Sequence, residues 1–145
     1  MRGAPSRAAV QAWARLVHAS QTVLNGVEAD VRADGFPPLD WYDILLELDR
    51  AGSEGLRPHA LETKVQVAQY NVSRLIARMA KDGLVDRVPC DDDRRGHILR
   101  INETGRSLLR RMWPVYSAAI QRHLGVKLPE AELQMLALLL GRVAA

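Results

Sequence analysis

The sequence predicts a mainly α-helical chain with a small β-hairpin wing: a winged helix-turn-helix flanked by N- and C-terminal dimerisation helices. Three observations carry that expectation. Apolar residues recur at three- and four-residue steps through most of the 145 residues. Two short helical stretches lie only three residues apart, which suggests a helix-turn-helix. Two β-prone runs follow at once, joined by a charged, glycine-ended connection that reads as a hairpin loop.

The first helix is expected over about residues 8–32, on the stripe Val10, Trp13, Val17, Leu24, Val27 and Val31. Asp34-Gly35 and Pro37-Pro38 end it, because proline cannot continue a helix and restricts the residue before it. The second is expected from Asp40, read as its N-cap, to about Arg50, with Trp41, Ile44, Leu45 and Leu48 inward. Residues 51–55 read as a loop. A short helix over 58–64 precedes one over 68–82, which Gly83 closes in a left-handed conformation. Strands are expected at 84–88 and 97–101, with 89–96 as the loop between them. Asn102 caps a helix that runs to about His123 and kinks at Pro114. The last helix opens at Leu128-Pro129-Glu130. Its stretch 135–140 is apolar without a break and calls for cover on every side. At the end of a small chain the expected cover is a second copy, with Val10, Leu136, Leu139 and Leu140 as dimer contacts. The resulting division is 1–36 for an N-terminal dimerisation helix, 37–103 for the winged unit and 104–145 for C-terminal dimerisation helices, within one compact protomer.

Composition narrows the function. Hydrophobic residues make up 48% and charged residues 26%, the balance of a globular protein. The longest stretch without Asp, Glu, Lys or Arg is 16–27, too short for a membrane span, which needs about 20 apolar residues. Neither a membrane association nor a secretory leader is expected, and the cytoplasm is the expected compartment. The single cysteine, Cys90, excludes an internal disulfide and a multi-cysteine zinc cage. The net charge of +3 is unevenly spread. Residues 28–54 carry eight acids against two arginines, whereas residues 56–111 carry twelve Lys and Arg against seven acids. Such segregation suits an anionic partner at one face.

The helix over 68–82 fits that partner. Val72, Leu75, Ile76 and Met79 form one apolar face, while Tyr70, Arg74, Ala77, Arg78 and Lys81 lie on the other. Gln69, Tyr70, Asn71 and Ser73 crowd its first turn. One stripe would dock on the protein and the N-terminal half would face base edges in a major groove of double-stranded DNA. Gln69 and Asn71 each suit the paired hydrogen bonds that select adenine, and Arg74 suits guanine or a phosphate. From the hairpin, Arg94 or Arg95 can enter a minor groove, whose narrow form attracts arginine. Asp91, Asp92 and Asp93 would be repelled by phosphate, so only the arginine side of the tip is expected to meet DNA.

In order, the run from Val67 to Met79, Lys81-Asp82-Gly83-Leu84-Val85, Asp92-Asp93-Arg94-Arg95-Gly96 and Ile101-Asn102-Glu103-Thr104-Gly105-Arg106 resembles the MarR family of bacterial transcription regulators. The resemblance is clearest over 39–109. It implies a homodimer with interlocking outer helices and two winged domains on a pseudo-palindromic operator. It also implies repression relieved by a small aromatic or phenolic effector. One departure is Ala68, where family members often carry Ser or Thr as the helix cap, worth about 1 kcal/mol.

Other chemistry has little support. No nucleophile elbow, Walker loop, dinucleotide fingerprint or cysteine–histidine pair is present, so no catalytic residue, cofactor or metal is expected. His18, His59, His97 and His123 are scattered, which leaves a metal-responsive regulator as a minor alternative. Cys90 reads as an unreactive, partly buried thiol at the base of the wing. An effector pocket is expected where the first, second and fifth helices meet, walled by rings and lined by Trp13, His18 and Tyr42. The rival from another class is a winged-helix adaptor that binds proteins without reading DNA.

Overall fold

The computed structural model describes residues 3–65, 69–90 and 93–145; for residues 69, 70, 90 and 93–95 it describes the backbone alone. Helix α1 (Arg7–Ala33) starts at Ser6, whose hydroxyl accepts from the Ala9 N–H at 3.1 Å. Its stripe splits in two. Val27 and Val31 are buried, whereas Val10, Trp13 and Leu24 stay exposed. The second half of α1 belongs to the core, and the first half runs out beyond it.

Helix α2 (Leu39–Ala51) buries Leu39, Trp41, Tyr42, Ile44, Leu45 and Leu48. Asp40 is not its cap. Pro38 occupies that position and has no side-chain acceptor to offer, and Asp40 falls within the first turn. The Glu28 carboxylate reaches across from α1 instead and accepts from the Leu39 N–H at 3.2 and 3.4 Å. An acid at a helix start also meets the positive end of the peptide dipoles.

Residues 51–55 are not simply loop. Helix α2 includes Ala51, a single 3-10 turn follows at Gly52–Glu54, and Gly55 has φ +68°. That conformation brings Leu56 against Leu99, with backbone hydrogen bonds of 2.9 and 2.8 Å in the two directions. A Cβ at Gly55 would meet the Leu99 carbonyl, so glycine is needed for this approach. Helices α3 (Pro58–Lys64) and α4 (Gln69–Lys81) follow. Whether a side chain caps α4 at Ala68 lies outside the described residues. Its far end closes at Gly83, φ +78°, where the Gly83 and Leu84 N–H groups bond the carbonyls of Ala80 and Met79.

Strands β1 (Val85–Cys90) and β2 (Asp93–Ile101) pair antiparallel from Val85–Ile101 outward, with an irregularity between Pro89 and Cys90. The strands therefore run further than expected. Cys90 pairs with Asp93 and Pro89 with His97, which leaves residues 94–96 between two rungs without a direct partner. Helix α5 (Glu103–His123) is continuous through Pro114, and α6 (Glu130–Ala144) ends the chain. The core unites α2, Leu61, the inner stripe of α4, the hairpin base and Leu108, Leu109 and Met112 of α5. No residue of α6 is buried, and Leu138 is 60% exposed. Among the described residues no helix is long and apolar enough to cross a membrane.

Candidate nucleic-acid interface

Helix α4 divides along its length. Val72, Ile76 and Met79 are buried, while Ser73, Arg74, Ala77, Arg78 and Lys81 are exposed on the other side. The three-and-four spacing of the apolar residues forces this division. Burying Val72, Ile76 and Met79 turns Arg74, Arg78 and Lys81 to solvent as a row of cations about one turn apart. Leu75 and Asn71 are half-buried. The side chains of Gln69 and Tyr70 lie outside the described residues. So do those of Arg94 and Arg95, which places the choice of minor-groove arginine there too.

The hairpin and α5 are tied to the end of α4 by one residue. Asn102 Oδ1 accepts from the Gly105 N–H at 3.0 Å and so caps α5. Its Nδ2 donates to the Gly83 carbonyl at 2.8 Å and to Asp86 Oδ1 at 3.3 Å. A Cβ at Gly105 would run into the Leu84 carbonyl and the Ile101 side chain. The two stretches singled out in the sequence, around Gly83 and around Asn102, thus meet in space. Asn102 satisfies the turn after α4 and the first turn of α5 at once. This junction holds the wing at a set angle to α4. A glycine in the first turn of a long helix, otherwise unfavourable by about 1 kcal/mol relative to alanine, was the available sign of a close approach. Beyond it, Glu103 pairs with Arg106 at 3.3 Å and with Arg110 at 2.6 Å. The hydrogen bond from Arg110, then that from Arg106, holds the exposed Glu103 carboxyl below its ordinary range.

The acidic segment found in the sequence forms its own locus between α1 and α2. Burial pushes the Asp43 carboxyl up, and the neighbouring Asp40, Glu28 and Glu47 push it further. Tyr42 and Tyr116 also have raised phenol values, first through burial and then through Asp43. Tyr42, Trp113 and Tyr116 pack as a ring cluster with centroids 5.0–6.2 Å apart. Tyr42 and Trp113 wall a shallow cavity of about 340 Å³ between α2 and α5, with Asp49 and Arg110 on its edges.

The expected trio of Trp13, His18 and Tyr42 does not come together. Trp13 and His18 sit exposed on the first half of α1, which extends past the body that holds Tyr42. The expected dimer contacts cluster better. Leu136 and Leu140 of α6 line a cavity of about 440 Å³ with Ala12, Leu16, Ala19 and Val23 of α1, while Val10 and Leu139 are exposed. Among the described residues no three His, Cys, Asp or Glu side chains are grouped to hold a metal ion. His123 instead lies 2.9 Å from Asp30, which also receives Arg122 at 2.9 Å. Its ring occupies the space beside Gly26 that a Cβ would fill. The Cys90 side chain lies outside the described residues.

A helix-turn-helix with a hairpin wing, set between long flanking helices, defines the class: a winged-helix protein. Residues 34–96 match a model described as MarR family. Solved structures share the fold end to end. A MarR family transcriptional regulator of Streptomyces coelicolor, Sco3205, solved in complex with DNA, is 22% identical with a TM-score of 0.87, covering 99% of this chain and 90% of that one. AbsC, another MarR family regulator of Streptomyces coelicolor, is 27% identical with a TM-score of 0.81 over 99% and 96% of the two chains. Bordetella bronchiseptica BpsR, described through regulation of its DNA binding by 6-hydroxynicotinic acid, is 20% identical with a TM-score of 0.82 over 93% and 99%. No curated protein matches the chain by sequence. By the match over the winged segment and the fold over its whole length, this chain is similar to MarR family regulators.

Proposed function

We propose that the protein is a DNA-binding transcription regulator that acts as a homodimer. The observation that carries this reading is the row Arg74, Arg78 and Lys81, exposed along α4 directly opposite its buried stripe. With α4 in a major groove, Gln69, Tyr70, Asn71, Ser73 and Arg74 read bases, Arg78 meets phosphate, and Arg94 or Arg95 enters the adjacent minor groove. Dimerisation is supported by the uncovered apolar residues of α1 and α6, since large exposed apolar patches mark interaction sites. Two copies then present their recognition helices about 34 Å apart on a pseudo-palindromic operator. Repression relieved by a small aromatic effector is the accompanying reading. Its support is the Tyr42–Trp113 cavity, together with the ligand named for BpsR.

The test is selection of duplexes from a random pool, followed by anisotropy titration of wild type and Arg74→Ala at 150 mM salt. Wild type should prefer a pseudo-palindrome. Arg74→Ala should lose about 1–3 kcal/mol on it, or lower the salt slope by about one if Arg74 meets phosphate. Wild type that enriches no sequence and binds only weakly, with all binding lost on adding salt, refutes the proposal and favours the adaptor reading.

A further inference from the structure

We infer that the cleft between the recognition helix and the hairpin seats one phosphate of the DNA backbone, held by Arg87 and His97 with Ser73; the inference rests on the DNA-reading role proposed above. Neither Arg87 nor His97 stood out in the sequence. Antiparallel partners share a face of a hairpin, so the pairs Arg87–Leu99 and Pro89–His97 point the same way. Leu99 is fully buried, so this face turns inward. Arg87 and His97 are nonetheless exposed, as is Ser73 on α4. The three share with Pro58, Ile76 and Leu99 a cavity of about 220 Å³.

The lining has an apolar floor, Ile76 and Leu99, and a rim of hydrogen-bond donors. Arg87 offers a guanidinium fork, Ser73 a hydroxyl and His97 a ring N–H, which even a neutral imidazole retains. Among the described residues, Arg87 carries the one formal charge of the lining, and no carboxylate belongs to it. The opposite face of the hairpin differs, since Asp86 sits beside Arg100. A concave site of donors without an acid takes an anion.

The identity of that anion follows from the shape of duplex DNA. Adjacent major and minor grooves are separated by a single sugar–phosphate strand. A protein with α4 in one groove and the hairpin tip in the next must let that strand pass between them. The Ser73–Arg87–His97 cleft is the gap in which it passes.

The test compares wild type, Arg87→Ala, Arg87→Lys, His97→Ala and Ser73→Ala on a selected duplex and on a shuffled duplex of equal length. All three polar residues are exposed, so unchanged thermal midpoints establish that each variant is folded. Arg87→Ala and His97→Ala should weaken binding to both duplexes alike, about three- to tenfold. Arg87→Ala should also lower the salt slope by about one. Arg87→Lys should restore the slope. Wild-type affinity and slope in both alanine variants overturn the inference, as does loss confined to the selected duplex, which would mark a base contact. Failure of wild type to bind any duplex overturns the DNA-reading proposal itself, and is told apart by needing no variant.

Discussion

Gly105→Ala sets two well-characterised effects against each other, so its sign is informative. Alanine is the better helix former by about 1 kcal/mol, and an unencumbered glycine in α5 would gain that much on replacement. Here the new Cβ would meet the Leu84 carbonyl and the Ile101 side chain. The carbonyl belongs to the backbone turn between α4 and β1, which Asn102 Nδ2 also grips at Gly83. Relief requires α5 to withdraw from that turn. Withdrawal stretches the Asn102–Gly105 cap, worth about 1 kcal/mol, which offsets the propensity gain. What remains is the overpacking cost of about 1–3 kcal/mol. For a chain of this size that corresponds to a fall in Tm of roughly 3–10 °C. The assay is thermal unfolding followed by circular dichroism at fixed protein concentration, because a dimer's midpoint depends on concentration. An unchanged or raised Tm refutes the close approach at Gly105 and, with it, the rigid coupling of α5 to the wing.

Three further outcomes are expected. Leu136→Glu with Leu139→Glu should convert a dimer to a monomer in light scattering at micromolar concentration, since Leu139 is exposed and Leu136 only half-buried on α6; wild type already monomeric at that concentration defeats the dimer proposal. Gly26→Ala should displace the His123 ring and break its bond to Asp30, so its cost should largely vanish in a His123→Ala background. Additive losses in urea unfolding, within about 0.5 kcal/mol, would show that the two residues do not share this contact. Asp43→Asn should raise Tm at neutral pH. The Asp43 carboxyl is raised in the folded state above its ordinary 3.8, so the folded chain holds that proton more tightly than the unfolded one. Its contribution to stability is therefore greatest at low pH and is lost as pH rises from 3.8 through the folded value. A Tm difference between Asp43→Asn and wild type that does not grow on moving from acid to neutral pH refutes that environment for Asp43.

What could be read along the chain was what local rules govern. The stripe Val72, Ile76, Met79 specifies the buried side of α4 by spacing alone, and Gly83 marks its end because the turn there needs positive φ. What escaped depends on residues far apart in sequence. The cap of α2 comes from Glu28, eleven positions before Leu39, and no pattern around Pro38 announces it. Leu56, just past the stretch that reads as loop, makes an isolated bridge to Leu99, and one residue is too short for alternation to appear. The strands exceed their expected ends for a related reason. Residues 89–96 look like loop in composition, yet pairing already under way at Val85–Ile101 carries the ladder through Pro89.

The site was legible to the same degree. Ser73, Arg74 and Arg78 follow from helical periodicity, because a buried stripe dictates which residues face out. Arg87 and His97 do not, because their place on the inward face depends on strand register. A one-residue slip would put both on the outer face beside Asp86 and Arg100. The ring trio failed for a third reason. Trp13 continues the stripe that buries Val27 and Val31, but a 27-residue helix is about 40 Å long and outruns the body beneath it. Periodicity assigns a side to each residue and says nothing of whether the chain supplies a neighbour at that height. The first half of α1 and most of α6 have the pattern of buried helices without full cover from their own chain. Their apolar faces accordingly carry information about assembly, where the same pattern in α4 carries information about the core.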